Sequence, residues 1–347
     1  MKVLLVGNTE SAHVQRWAAA LAAAELEVAS VGFAPLPGLP AVDQHVLPGG
    51  GRGDDRYLRA LPALRRAIQR FDPDVVHAHF VSSYGLMALL AAGRRPVVQF
   101  AWGTDLLAPE DLNRPQWALV AVALRRAAAV VVDSSDVAAV VRRRARREPA
   151  TVVFGPPASW TEAPRHPSSS ILSPRGLLPL YNASDVVTAF TAIAPQMTPW
   201  HLDVLTAGAD HRELETAVAR AGLANRVSWW PFLSRSEVQE RYLRAEIMCS
   251  VPSRDATSVC VLEAMASGTF PIVSDLPANR GLVTDGENGL LVPVRDPSAL
   301  SRAFVRAAQD HELRARALVR NRAFVAETAT WERAVGQVVA LTASVAR

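Results

Sequence analysis

Lysine is almost missing from this chain. Lys2 is the only one, so arginine carries nearly all of the positive charge. With alanine abundant, that bias fits a GC-rich genome better than a functional choice. Cysteine is scarce too: Cys249 and Cys260 are the only two, and each falls in an apolar segment, one strand-like and one helical. Cysteines so placed do not make a disulfide framework; they read as buried, reduced thiols of a cytosolic protein. No stretch approaches the roughly 20 uninterrupted apolar residues that a membrane span needs. The opening run MKVLLVGN is too short for the apolar part of a signal peptide and has no cleavage site behind it. The expectation is a cytoplasmic protein. A net charge of +4 would suit a peripheral contact with the inner membrane face, or attraction of anionic substrates. It is too small to argue for nucleic acid, and no aromatic–basic interleaving supports that partner.

What is present is ordinary globular composition, in 347 residues that suffice for two domains with full cores. Short apolar runs alternate with helical patterns throughout. Strands are expected at Val3–Val6, Val28–Phe33, Val75–His79, Val97–Phe100, Val130–Val132 and Thr151–Phe154, then at Ile171–Ser173, Leu202–Thr206, Val227–Trp230, Ile247–Val251, Pro271–Ser274 and Gly289–Val292. Strands of this kind separated by helices predict an α/β protein of two doubly wound parallel sheets. Between the two sets, GPPASWTEAPRHPSSS has the proline, the serine and the lack of period of a connector. The expected division is a first domain over 1–157, a linker over 158–170, a second domain over 171–328 and a closing segment over 329–347.

Ligands of open parallel sheets sit beyond the carboxyl ends of the strands, so residues just after each strand carry the most weight. The segment PSRDATSVCVLEAMASG is the most informative of them. Asp255 stands in a loop, with seven residues between it and Glu263, which lies inside a helix closed by Gly268. Between them, at Thr257, Ser258 and Val259, are amides at the positive end of a helix dipole. Such a helix start can hold a phosphate, with the flanking carboxylates accepting from sugar hydroxyls. Arg175 follows the first strand of the second domain, where a guanidinium can fork onto a diphosphate.

The other candidates are balanced against duller readings. Gly7 opens a strand-to-helix turn without the dinucleotide fingerprint. His77 and His79 share one face of a strand; His77 reads as a satisfied core histidine, His79 as the site candidate. Trp102, Thr104 and Asp105 follow the fourth strand, where Asp105 is as suited to capping as to ligand contact; Asp133-Ser134 has the same standing. Asp72-Pro-Asp74 matches a metal motif in form but lies at the wrong end of its strand, and the run Arg142–Arg147 reads as a solvated helix face.

Together these residues resemble the retaining glycosyltransferases of family four, which have the glycosyltransferase-B (GT-B) fold of two Rossmann-like domains facing across a cleft. The resemblance rests on DVVHAH, the glycine turn after the first strand, Arg175, the acid–seven residues–acid segment running into LEAMASGTFPIVSD, and DGENGLLVPVRDPSAL. It implies a sugar transferase that needs no cofactor and no metal and uses a UDP-, GDP- or ADP-linked donor. The acceptor would be a saccharide, lipid-linked or natural-product hydroxyl. Glu263 would hold a ribose, Asp255 the donor sugar, and the amides around Thr257–Val259 the diphosphate, which Arg175 would neutralise as it leaves. His79 would lie near the anomeric carbon, Gly7 near the donor, and the loop 231–236 with Phe232 around the base. Trp102, Thr104 and Asp105 would face the acceptor, together with the loops 49–53 and 102–110. The helix from Thr330 would pack back on the first domain.

The departures are Asp255 in place of the usual glutamate, no glycine in Ala256-Thr257-Ser258, and Leu180 in place of a second cation, a lysine in the family; either Arg175 and the helix amides suffice, or another arginine such as Arg254 or Arg280 reaches in. They leave two alternatives: a non-catalytic nucleotide-sugar-binding partner protein, or a sugar-nucleotide epimerase on the same fold.

Overall fold

Val, Leu and Ile in runs too short for helices form strands here because helices cover both faces of each sheet. The computed structural model describes every residue except 40–41, 50–54, 104, 108–111 and 347. The chain divides into two units, one of Met1–Val153 with Arg333–Arg347, the other of Phe154–Glu332. The first holds β1 (Lys2–Val6), β2 (Glu27–Gly32), β3 (Asp43–Val46), β4 (Val75–His79), β5 (Val97–Ala101), β6 (Ala129–Val132) and β7 (Ala150–Thr151). Its sheet is parallel throughout, in the order β3-β2-β1-β4-β5-β6-β7. The second holds β8 (Ser168–Ser173), β9 (His201–Leu205), β10 (Val227–Trp230), β11 (Ala245–Ser250), β12 (Phe270–Ser274) and β13 (Leu290–Val292). Here the order is β10-β9-β8-β11-β12-β13, again parallel. Both are the doubly wound sheets that the alternation predicts.

In each sheet the winding direction reverses once, between β1 and β4 and between β8 and β11. Connections leave a reversal point on opposite faces, so a crevice opens between the carboxyl ends of the two central strands. That geometry selects Gly7 and His79 in the first unit, and Arg175 and Asp255 in the second.

The core of the second unit sets Ile171, Ile247, Cys249 and Ile272 against Phe190 and Phe304, all buried. Each such aromatic contributes about 1.5–3 kcal/mol by leaving water. Burial in this core pushes the Cys249 thiol far up, which keeps it protonated and unreactive. In the first unit, helix Asp55–Phe71 lays Leu64 and Ile68 over Leu4, Val31 and Val76. The last helix, Trp331–Val345, buries Ala334, Val338 and Thr342. From Arg333 onward it belongs to the first unit, where Thr342 Oγ1 lies 2.9 Å from His77 Nε2. His77 is thus a core histidine, held neutral because burial lowers its pKa to about 3.

Three expectations need correction. Strand β3, DQHV, has no apolar alternation and was invisible to pattern reading; it pairs on the outer edge of β2, where its side chains need no core. The strand expected at Thr151–Phe154 is only the pair Ala150–Thr151. The stretch read as a linker is ordered: Ser159–Glu162 is a short helix that buries Trp160 against Tyr242, and Ser168–Ser170 already belong to β8. Arg165 in this stretch donates to the carbonyls of Gly268 and Ala245, so the segment is pinned to the second unit.

Candidate functional site

The second unit brings Arg175, Asp255 and Ser258 together at the reversal point between β8 and β11. Arg175 Nη1 donates to Asp255 Oδ2 at 2.9 Å and to Ser258 Oγ at 3.0 Å, while Nη2 reaches Asp255 Oδ1 at 3.4 Å. The guanidinium lies over the Tyr181 ring, 4.3 Å from its centroid. Asn182 shapes this loop: it adopts a left-handed conformation (φ 51°) and donates to Val251 O at 2.8 Å and Ser253 Oγ at 2.9 Å. Asparagine tolerates that conformation, and its amide ties the loop after β8 to the loop after β11. Arg175 and Asp255 are 18% and 14% exposed. Burial pushes the Asp255 carboxyl above its ordinary value against the pull of Arg175. Burial alone would lower the Arg175 value, but Cys260, then Asp255 and Tyr181, outweigh it and keep the guanidinium charged.

Ser258 is the N-cap of helix Val259–Ser267, yet its hydroxyl makes no cap bond; Arg175 and Cys260 Sγ engage it instead. Helix geometry gives the amides of Val259 and Cys260 no carbonyl one turn back. From Cys260 to Ser267 every residue is buried, so the helix is fixed on all sides and its start is rigid. It ends at Gly268, whose φ of 73° favours glycine, and an added Cβ would come 2.9 Å from Leu318 Cγ. Arg165 and Arg322 donate to its last carbonyls, matching positive charge to the negative helix end.

Glu263 is 8% exposed and accepts from Arg235 Nη1 at 2.6 Å. Sequence reasoning placed Arg235 only within the loop around the base and missed its pairing with Glu263. It also missed Tyr181 and Asn182, which no charge pattern marks. Arg280, a candidate replacement for the absent lysine, is paired with Asp275 at 2.6 Å, and Leu180 gives its carbonyl to Ser253 N. Phe232 follows β10 and is 79% exposed. Its ring lies on Gly208 (φ 76°), where an added Cβ would be 2.2 Å from the ring. The loop read as 231–236 ends at Ser234, because Arg235 and Ser236 are already helical.

In the first unit, Gly7 lets the chain pass close: a Cβ there would come 3.1 Å from Val14 Cγ2 and 3.2 Å from His79 Cβ. His79 is buried, stacked on Phe100 at 4.4 Å and under Trp102 at 5.4 Å between centroids. Burial holds its pKa well below the ordinary value, with His77 and His13 adding repulsion. At 1% exposure the ring is closed to a ligand in this conformation. Next to it Phe80 carries a φ of 84°, a costly conformation for an aromatic residue.

Asp105 does not cap the next helix, Arg114–Arg126, whose cap is Asn113; its buried carboxylate instead ties two loops together, accepting from Val81 N at 2.8 Å and Trp102 N at 3.1 Å. Burial raises it to about 6. Ser134 caps helix Ser135–Ala145. Asp74 accepts from Lys2 N, and Asp72 pairs with Arg95, both structural. Arg142 pairs with Glu148, and Arg147 reaches the carbonyls of Ala127 and Ala128, so only part of that run is a solvated face. Thr104, residues 50–53 of the loop 49–53 and residues 108–110 of the loop 102–110 lie outside the described residues. Among the described residues, no cluster of three or more His, Cys, Asp or Glu is placed to hold a metal ion, and no helix is long and apolar enough to cross a membrane.

Known proteins match both units. Residues 2–134 fit the family model described as glycosyl transferase 4-like, and residues 161–323 fit that of glycosyl transferases group 1. A phosphatidyl-myo-inositol mannosyltransferase of Mycolicibacterium smegmatis is 39% identical over 61 residues, 18% of this chain and 16% of that protein. An exopolysaccharide phosphotransferase of Streptomyces coelicolor is 29% identical over 148 residues, 42% of this chain and 15% of the other. The chain therefore spans about one-sixth of the length of these two curated relatives. Among solved structures, Anabaena Alr3699/HepE in complex with UDP superposes with a TM-score of 0.82 at 16% identity, over 99% of this chain and 100% of that one. The first unit is thus similar to the 4-like glycosyl transferases and the second to those of group 1, on the two doubly wound sheets of the GT-B fold.

Proposed function

We propose that the chain transfers a sugar from a nucleotide-sugar donor to a hydroxyl acceptor, with retention at the anomeric carbon and without a metal ion. The observation that carries this reading is the cluster of Arg175, Asp255 and Ser258 at the start of a rigid, buried helix, with Glu263 about one and a half turns further in. It offers an anion site between two carboxylates, suited to a diphosphate flanked by two polyols. As the bond from the anomeric carbon to the phosphate oxygen breaks, its electron pair leaves on that oxygen. Arg175 and the amides of Val259 and Cys260 meet the developing charge, a kind of preorganised stabilisation that can dominate catalysis. The acceptor attacks on the same face, and its proton passes to the departing phosphate oxygen. Anabaena HepE, which shares the fold, has been solved with UDP and with UDP-glucose; a donor of that class suits this cluster.

The test is incubation with UDP-, GDP- and ADP-sugars, with and without EDTA, following donor loss and the anomeric configuration of product by NMR. Activity with retention that survives EDTA supports the reading. Full activity in Asp255→Ala and Glu263→Ala would remove the assigned site. One observation favours a non-catalytic binding protein instead: Leu180 stands where the resemblance expects a cation, and Arg280 is committed to Asp275. Nucleotide-sugar binding without turnover across acceptors would select that alternative.

A further inference from the structure

Arg235 occupies the first turn of helix Arg235–Arg244, and a capping box fixes its position. Ser234 N donates to Glu237 Oε2 at 2.7 Å, and Glu237 N donates to Ser234 Oγ at 3.3 Å. That box sets the start of the helix just past β10, so the Arg235 side chain reaches Glu263 on the neighbouring helix. The guanidinium also lies 4.7 Å from the centroid of the Trp160 ring, in the segment that leads into the second unit. The two partners differ in exposure: Glu263 is 8% exposed, Arg235 51%.

A carboxylate that deep requires a hydrogen-bonding counter-charge when no ligand is present. A cation that exposed can return to water at small cost. The same carboxylate is the group assigned above to a ribose, and a vicinal diol needs its oxygens as acceptors. Arg235 Nη1 already holds Oε1, so a diol donating to both carboxylate oxygens meets the guanidinium at that atom.

We infer that Arg235 is a displaceable counter-ion of Glu263: it holds the carboxylate in the free protein and gives way to the ribose hydroxyls of an incoming nucleotide. This rests on the donor-site reading. Arg235 is then a residue that sets affinity by competing, not by contact. Its release also alters the stacking on Trp160, so nucleotide occupancy is signalled to the segment that enters the second unit.

The experiment is calorimetric titration of the full chain, wild type, Arg235→Ala and Arg235→Lys, with UDP, GDP and ADP. Arg235→Ala is expected to bind the preferred nucleotide about 2- to 5-fold more tightly, the scale of an exposed-side ion pair. Arg235→Lys, which keeps a cation beside Glu263, is expected to stay near wild type. In NMR spectra, the indole signal assigned through Trp160→Phe should shift on nucleotide addition to wild type and remain fixed in Arg235→Ala. Equal or weaker binding by Arg235→Ala, with wild type binding normally, overturns the inference and leaves the donor site standing. Absence of nucleotide binding by wild type and Arg235→Ala alike overturns the donor site, and the inference with it.

Discussion

Replacing Arg175 with leucine is the perturbation most informative about the site. The change removes the guanidinium that donates to both oxygens of Asp255 and to Ser258 Oγ. Asp255 remains 14% exposed, a carboxylate with its one described side-chain counter-ion gone. Breaking a fully buried pair from one side costs about 3–5 kcal/mol. The partial exposure of both groups brings that to roughly 2–3 kcal/mol after solvent screening. In a unit of this size each kcal/mol lowers Tm by about 2–4 °C.

The deficit should depend on pH with a definite sign. Burial already raises the Asp255 pKa above its unfolded value, and losing Arg175 raises it further. A group with a raised folded value costs stability above that value, and the cost is relieved as pH falls through it. The deficit is therefore largest where Asp255 is ionised and shrinks as pH falls through its raised folded value. Arg175→Leu/Asp255→Leu removes the stranded charge as well and should recover more than about 1 kcal/mol relative to the sum of the single changes. Urea unfolding of the four proteins, followed by circular dichroism at two pH values, measures this. A cost below about 1 kcal/mol for Arg175→Leu, or additive single changes, would refute the argument that the two side chains form one buried unit.

The other outcomes are smaller or lie away from the site. In the first unit His77, lowered to about 3, and His79, lowered well below 6.5, stay neutral when folded. The unfolded chain binds protons there below pH 6.5, so each costs about 1.4 kcal/mol of stability per pH unit beneath that value. Asp105, raised to about 6, opposes them with a gain of similar slope between its unfolded value and 6, so these three groups leave a net loss of about 1.4 kcal/mol per unit near pH 5, to which His13, lowered by burial, adds. Urea midpoints from pH 7.5 to 5 read this directly, and a flat profile would contradict it. Thr342→Val takes the partner from His77 Nε2 and should cost about 1–3 kcal/mol in the same assay. Gly268→Ala meets Leu318 at a positive φ and should cost about 1–2 kcal/mol, seen as a lower Tm. The nucleotide titration of Arg235→Ala completes the set.

Much of this molecule could be read from its residues, for physical reasons that differ by element. Val75–His79 and Val227–Trp230 were placed to the residue because a buried parallel strand is a short apolar run between polar turns. The helix start between Asp255 and Glu263 was legible because a loop acid, small polar residues, an apolar run and a closing glycine occur in that order. Strand β3 was not, since an edge strand of half-exposed polar residues has no period to detect. Trp160 looked like a linker residue because one helical turn is too short to show periodicity; only its packing on Tyr242 and Arg235 reveals its place. Arg235 is one arginine among many, and its meeting with Glu263 depends on how two helices pack. The role expected of His79 depended on its ring being open, and the cover of Trp102 is a tertiary fact.

The central claim is that the helix start at Ser258, with Arg175 and Glu263, receives a nucleoside diphosphate. A crystal structure of the chain soaked with UDP, GDP or ADP tests it most directly. The account predicts the diphosphate at the amides of Val259 and Cys260, within hydrogen-bonding reach of Arg175, and the ribose hydroxyls on Glu263 with Arg235 turned away. A nucleotide bound elsewhere in the chain, with the Arg175–Asp255 and Arg235–Glu263 pairs undisturbed, would contradict it.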